Sequence, residues 1–243
     1  MKDMATSWQG EGSGSRAARL FQRVGRALGF RGGNPPLVTL SLIGICVLVA
    51  IAELFFKNVG AALLFVPALA ESQPYRFIAS AFVHAGFWHL LFNMYALWLV
   101  GAVLEPAIGR VRFASIYLLS AVAGNVAVLL SADQLSESWI TATVGASGAV
   151  FGVFGALFVL MHHFGTDSTS LLVVIVANLA LGFLPGMNIS WQSHVGGLIA
   201  GAVMMALMMA RRQHISPRAR RARDTAVIVG TAVVLCGLIW WGF

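Results

Sequence analysis

Apolar runs of about 18 to 20 residues recur along the chain, each long enough to carry a helix across roughly 30 Å of hydrocarbon at about 1.5 Å per residue. The runs are continuously apolar, not alternating, which argues for helices and against a membrane β-barrel. They fall at residues 37–56, 86–104, 113–130, 147–161, 171–184, 191–209 and 226–241. Only 10% of the 243 residues are charged and 58% are hydrophobic, against roughly 25% charged in a soluble domain. The chain therefore reads as an all-α polytopic membrane protein. The expected organisation is a basic tail over 1–36, a six-helix core over 37–210, a basic linker over 211–225 and a further C-terminal transmembrane helix over 226–243.

The net charge of +7 does not point to nucleic acid, because the basic residues follow the spans. With the N-terminus in the cytoplasm, Lys2, five tail arginines, Arg110, Arg112 and the six arginines from Arg211 to Arg223 lie inside, which is 14 of 16; only Lys57 and Arg76 lie outside. This satisfies the positive-inside rule and predicts an outside C-terminus. The expected setting is a multi-pass protein of the cell membrane. Cys46 and Cys236 both fall in apolar runs and read as small buried hydrophobes, with no disulfide framework to argue from them.

In the tail, Leu20, Val24 and Leu28 share a helical face with arginines elsewhere, a pattern that fits an interfacial helix on anionic lipid and equally a disordered basic segment. Ala68-Leu-Ala70 resembles a signal-peptidase site. It lies well beyond the first run, which is itself too long for a signal sequence, so no cleavage is expected. The connection over 57–85 is too apolar for an ordinary loop and too broken to span, which predicts a partly embedded interfacial loop.

Polar groups inside a bilayer are expensive and are functional candidates by default. His84, His89 and His194 fall near the outer ends of spans, Asn93 lies one turn below His89 on the same helix face, and Ser147 begins the fourth run. A fourth helix over 147–161 rises about 22 Å, some 8 Å short of a roughly 30 Å core. Ser147 is then sunk below the outer surface, and the non-helical backbone before it must be lined by protein or water. Gly148 and Gly152 form one GxxxG and Gly197 and Gly201 another, each beside a reactive side chain, so that close helix approach could bring Ser147 Oγ to a His194 nitrogen. No carboxylate is placed to orient His194, so a Ser–His dyad is expected, with oxyanion donors from the Ser147 backbone N–H, His89 and Asn93. Each residue taken singly has an ordinary reading: a serine bonding back to its own helix, an interfacial or proton-relay histidine, an asparagine holding helices together.

In order and spacing, these residues resemble the rhomboid family of intramembrane serine proteases. His84-x4-His89-x3-Asn93 is similar to the family's second-helix motif, Gly145-Ala-Ser-Gly148 to its GxSG nucleophile motif, and His194-x2-Gly197-x3-Gly201 to its sixth-helix motif. Tyr75-Arg76 resembles the Trp-Arg of its first loop, and Glu105 matches an acidic residue ending its second helix. The resemblance implies Ser147 as nucleophile, His194 as general base, His84 as an ordering residue at the cavity mouth, transmembrane protein substrates in the bilayer, and no metal or cofactor. It also implies preference for small residues at the cut and a six-plus-one arrangement. Two departures stand out: Phe151 replaces a tyrosine that packs on the catalytic histidine, and Tyr75 replaces the loop tryptophan.

A metalloprotease would need HExxH and an aspartyl protease two intramembrane aspartates, and the sequence has neither. A non-catalytic relative that binds membrane clients for quality control is the principal alternative. A transporter using the histidines as a relay would show paired broken helices, and no convincing repeat is visible.

Overall fold

The apolar runs become seven helices: α1 Leu37–Phe55, α2 Phe87–Ile108, α3 Arg110–Ser131, α4 Ser147–His163, α5 Thr169–Leu181, α6 Trp191–Met209 and α7 Pro217–Trp241. The structure is a computed structural model and describes residues 35–183, 189–210 and 216–243. The expected interfacial helix of the tail lies outside them. Five helices (α1, α2, α3, α6 and α7) are long and apolar enough to span a membrane, while α4 and α5 are shorter apolar helices. The described residues form an all-helical integral membrane protein with a six-helix core and one added C-terminal helix.

Several boundaries differ from the sequence reading. The expected inner loop at 105–112 reduces to Gly109, whose φ of 90° turns the chain from α2 directly into α3. α4 runs to His163, so its 17 residues rise about 25 Å, and Ser147 is less deeply sunk than 15 residues imply. Residues 217–225 of the expected linker are the first turns of α7, started by Pro217 and capped by Ser216 Oγ, which accepts from Ala219 N–H at 3.2 Å. Cys46 is buried as expected, but Cys236 is exposed on α7, where the apolar run faces outward.

Helix α4 is the centre of the bundle. Its residues Gly148 through Leu157 are all buried, as a helix apolar on every side requires. It packs chiefly on α6, then α3 and α2. On α6, the buried residues Ser193, His194, Gly197, Gly201, Met204, Met205 and Met208 form one stripe at helical spacing. α1 and α7 bury little: Thr39, Leu42 and Cys46 on the former, Leu235 on the latter. α7 lies against α3 and α6, with Leu235 among Ala123, Val126 and Leu129. One end is held by Asp224, which accepts from Arg112 Nε at 2.8 Å and Nη2 at 2.5 Å; the other is closed by Phe243 edge-on to Trp139, ring centroids 6.4 Å apart.

The start of α1 has no cap from its own sequence. Instead the buried carboxylate of Glu105, near the end of α2, accepts from Val38 N–H at 2.9 Å, Thr39 N–H at 2.8 Å and Thr39 Oγ1 at 2.8 Å. An anionic group at a helix N-terminus satisfies otherwise orphaned donors.

The 56–86 connection is ordered by its own polar contacts. Arg76 is buried and donates to Gln73 Oε1 at 2.8 Å, Ala61 O at 3.0 Å and Leu64 O at 2.5 Å. Tyr75 stays half-exposed and donates to Ala62 O at 3.0 Å. Phe65 and Thr143 exchange both backbone hydrogen bonds, 2.9 and 2.7 Å, as an isolated antiparallel bridge. Thus the first connection supplies partners to the irregular backbone leading into Ser147.

Candidate functional site

Ser147 is the first residue of α4, and the backbone before it is aimed by Gly145. Gly145 has φ 120°, which favours glycine, and a Cβ there would lie 2.7 Å from His89 Cε1, 2.9 Å from His89 Nε2 and 3.7 Å from Ser147 Oγ. The His89 ring and the Ser147 hydroxyl therefore both border the space over the bare α-carbon of Gly145. Gly145 N–H in turn donates to Ser80 O at 3.0 Å.

His89 Nδ1 accepts from Ala85 N–H at 3.2 Å. In the neutral ring the proton then sits on Nε2, so His89 presents a donor on the edge that faces Gly145. Asn93 Nδ2 donates to His89 O at 2.9 Å; the amide is buried but bonded to its own helix. His84 packs edge-on to His89, centroids 5.3 Å apart, and its Nε2 faces Ala146 N–H at a long 3.5 Å. Burial, with His89 alongside, holds the His84 imidazole down to about 4. It is therefore neutral at pH 7 and can accept that bond.

His194 lies in the first turn of α6, buried, with its ring stacked on Phe151 at 4.2 Å and 10°. Phe151 thus packs flat on the imidazole. His194 Nδ1 is buried without a partner among the described residues, and no carboxylate reaches it. Ser147 and His194 share no direct hydrogen bond in this conformation; their helices are what is brought together. The two GxxxG pairs face each other, and a Cβ on Gly197 would sit 2.7 Å from the Gly148 carbonyl carbon, one on Gly201 2.6 Å from Gly152 Cα. Backbone contact at this range is available only to glycine. Among the described residues no three His, Cys, Asp or Glu side chains converge as metal ligands.

Sequence reading missed a second layer of polar groups. Asn125, buried in the middle of α3, donates to Phe77 O at 2.9 Å and Ser80 Oγ at 2.8 Å. Because Ser80 O receives Gly145 N–H, this amide ties α3 to the backbone that aims Ser147. Ser193, adjacent to His194, is wedged against Gly124 and Gly148, where added Cβ atoms would each meet its Oγ at 2.6 Å. An amide in the third apolar run and a serine beside the histidine were the available signals.

Comparison with known proteins bears on this arrangement. Residues 71–211 match the model of the Rhomboid domain family. The chain is 36% identical over 138 residues to the rhomboid protease GluP of Bacillus subtilis (strain 168), covering 55% of this chain and 26% of that protein. It is 30% identical over 176 residues to the rhomboid protease GlpG of Haemophilus influenzae, covering 68% and 88%. To RHOMBOID-like protein 5 of Arabidopsis thaliana it is 32% identical over 151 residues, covering 59% and 47%. The matched region thus spans less than half of the first and third of these relatives and most of the second.

Proposed function

The chain belongs to the rhomboid family, and we propose that it is an intramembrane serine endopeptidase that cuts transmembrane segments of other membrane proteins. The observation that carries this reading is that Ser147 Oγ and the His89 ring both border Gly145, beside the glycine contact that seats the His194 helix on the Ser147 helix.

In the proposed reaction His194 takes the Ser147 hydroxyl proton as Oγ attacks the scissile carbonyl. The reaction requires the two first-turn side chains to form a direct hydrogen bond, while the Phe151 stack limits tilting of the imidazole. Negative charge on the carbonyl oxygen is met by the Ser147 N–H at the start of α4, by His89 Nε2–H and by the second Asn93 Nδ2 hydrogen. The imidazolium then protonates the leaving amine, giving an acyl-Ser147 ester and a free N-terminus. His194 next deprotonates a water that attacks the ester, releasing the carboxylic acid and restoring the serine. No cofactor is required by this sequence of steps. The preferred topology places the site toward the outer face of the cell membrane, with the N-terminus cytoplasmic, as the basic-residue split supports.

The test is cleavage of a single-span model substrate by purified protein, with serine-directed fluorophosphonate labelling. Ser147→Ala and His194→Ala should each lose cleavage and labelling while melting as the unmodified chain does. Undiminished cleavage by either folded variant overturns the mechanism. If the unmodified protein binds the substrate without cutting it, the client-binding alternative replaces the protease.

A further inference from the structure

At the end of the bundle opposite Ser147, charge and shape coincide in a way the protease reading does not use. α7 is 25 residues long, about 37 Å, but its apolar run over 226–241 accounts for only about 24 Å. Its first turns therefore lie at headgroup level. They carry Arg218, Arg220, Arg221 and Arg223 against the single acid Asp224. That acid is occupied by Arg112, with Arg223 at 3.6 Å. Arg218, Arg220 and Arg221 are exposed and have no ion-pair partner among the described residues. The positive pole of α7 points the same way.

Beside this collar, the ends of α4 and α6 border an open surface groove of about 330 Å³, lined by Val159, Ala206 and Met209 together with His162, His163 and Ala210. Arg223 Nη1 donates to Ala210 O at 3.0 Å, placing a guanidinium at its edge, and Arg223 Nε is buried without a partner among the described residues. An apolar floor at membrane depth beneath a cationic rim is the shape of a glycerophospholipid, not of a soluble anion or a nucleic acid.

We propose that this end of the molecule binds an anionic phospholipid. The phosphate is held by Arg223 and the exposed arginines, with His162 and His163 at the rim, and the glycerol and upper acyl chain lie in the α4–α6 groove. Clustered basic residues next to a membrane span favour anionic headgroups by electrostatics alone; the groove adds a place for one lipid to stay.

The test uses the full chain in a neutral detergent, titrated with dioleoyl phosphatidylglycerol or dioleoyl phosphatidylcholine and read by native mass spectrometry. The unmodified chain should retain the anionic lipid roughly ten-fold or more over the zwitterionic one. The R218Q/R220Q/R221Q variant should lose that preference, and A206F, which fills the groove without changing charge, should lower retention of one lipid copy. Equal retention of both lipids by the unmodified chain overturns the proposal. So does an undiminished preference in the neutralised variant, which would assign selectivity to another basic segment. Should the neutralised variant fail to fold, A206F and a salt titration decide: a preference unmoved by both is equally fatal. None of these variants touches Ser147 or His194, so the outcome is independent of the protease test.

Discussion

Gly197→Ala measures how closely the reaction depends on the α4–α6 seam. A single methyl would lie 2.7 Å from the Gly148 carbonyl carbon, and closer still to its oxygen, where ordinary contact begins at 3.4 Å. Neither neighbour can yield, because both atoms are helix backbone. α6 must therefore lean away from α4 by about 1 Å at this level, one turn from His194 and at the residue next to Ser147. A displacement of that size in a reacting pair costs about 10²-fold in rate, and the lost packing about 1–3 kcal/mol of stability. The expected result is folded protein with a modestly lower melting temperature and kcat reduced about a hundred-fold, with labelling of Ser147 by fluorophosphonate slowed in parallel. Gly237→Ala on α7, where an added Cβ meets nothing within 4 Å, serves as the control and should be neutral. Wild-type kcat in Gly197→Ala, measured on protein of normal stability, would refute the claim that helix contact sets the distance between nucleophile and base.

Four further outcomes are expected. His89→Ala and Asn93→Ala should each lower kcat by about 10² to 10³ with KM little changed, checked by steady-state cleavage of the model substrate. Asn125→Ala strands Phe77 O and Ser80 Oγ in the interior, costing about 1–3 kcal/mol; because Ser80 also holds Gly145, labelling of Ser147 should slow more than Leu235→Ala slows it at matched stability. A chain truncated after Arg223 should still label at Ser147 but melt earlier, since α7 is fastened at both ends yet contributes no atom to the site. A reporter fused after Phe243 should read as outside; a cytoplasmic signal would contradict the proposed topology.

What could be read from sequence divides along the length scale of the interaction. The spans were legible because lipid imposes one apolar length on every helix, and the ordered His84, His89, Asn93, Ser147 and His194 stood out because ionisable and amide groups are rare in such runs. Helix ends were less legible: at Glu105 to Arg112 the charged residues suggest a loop, but Gly109 alone makes the turn, while Glu105 and Arg112 find partners on α1 and α7. The start of α7 was hidden similarly, since arginine-rich sequence is as compatible with helix as with linker. Asn125 was overlooked because its partners lie on a connection some 45 residues earlier, and Ser193 because its value comes from the glycines opposite it, which no single strand of sequence reveals.

The Glu105 carboxylate has a consequence for how the molecule is assembled. Three donors at the start of α1 converge on it, and it is 16 residues from His89 along the same helix, about 24 Å. Were α2 to slide along α1 by one residue, about 1.5 Å, the carboxylate would lose its partners while still buried, a cost of about 3–5 kcal/mol. Sliding is otherwise cheap between apolar helices in lipid, where one depth solvates them much as another does. The pairing therefore works as a height gauge: a polar lock on one face of the membrane decides how far below the other face the His89 imidazole is presented.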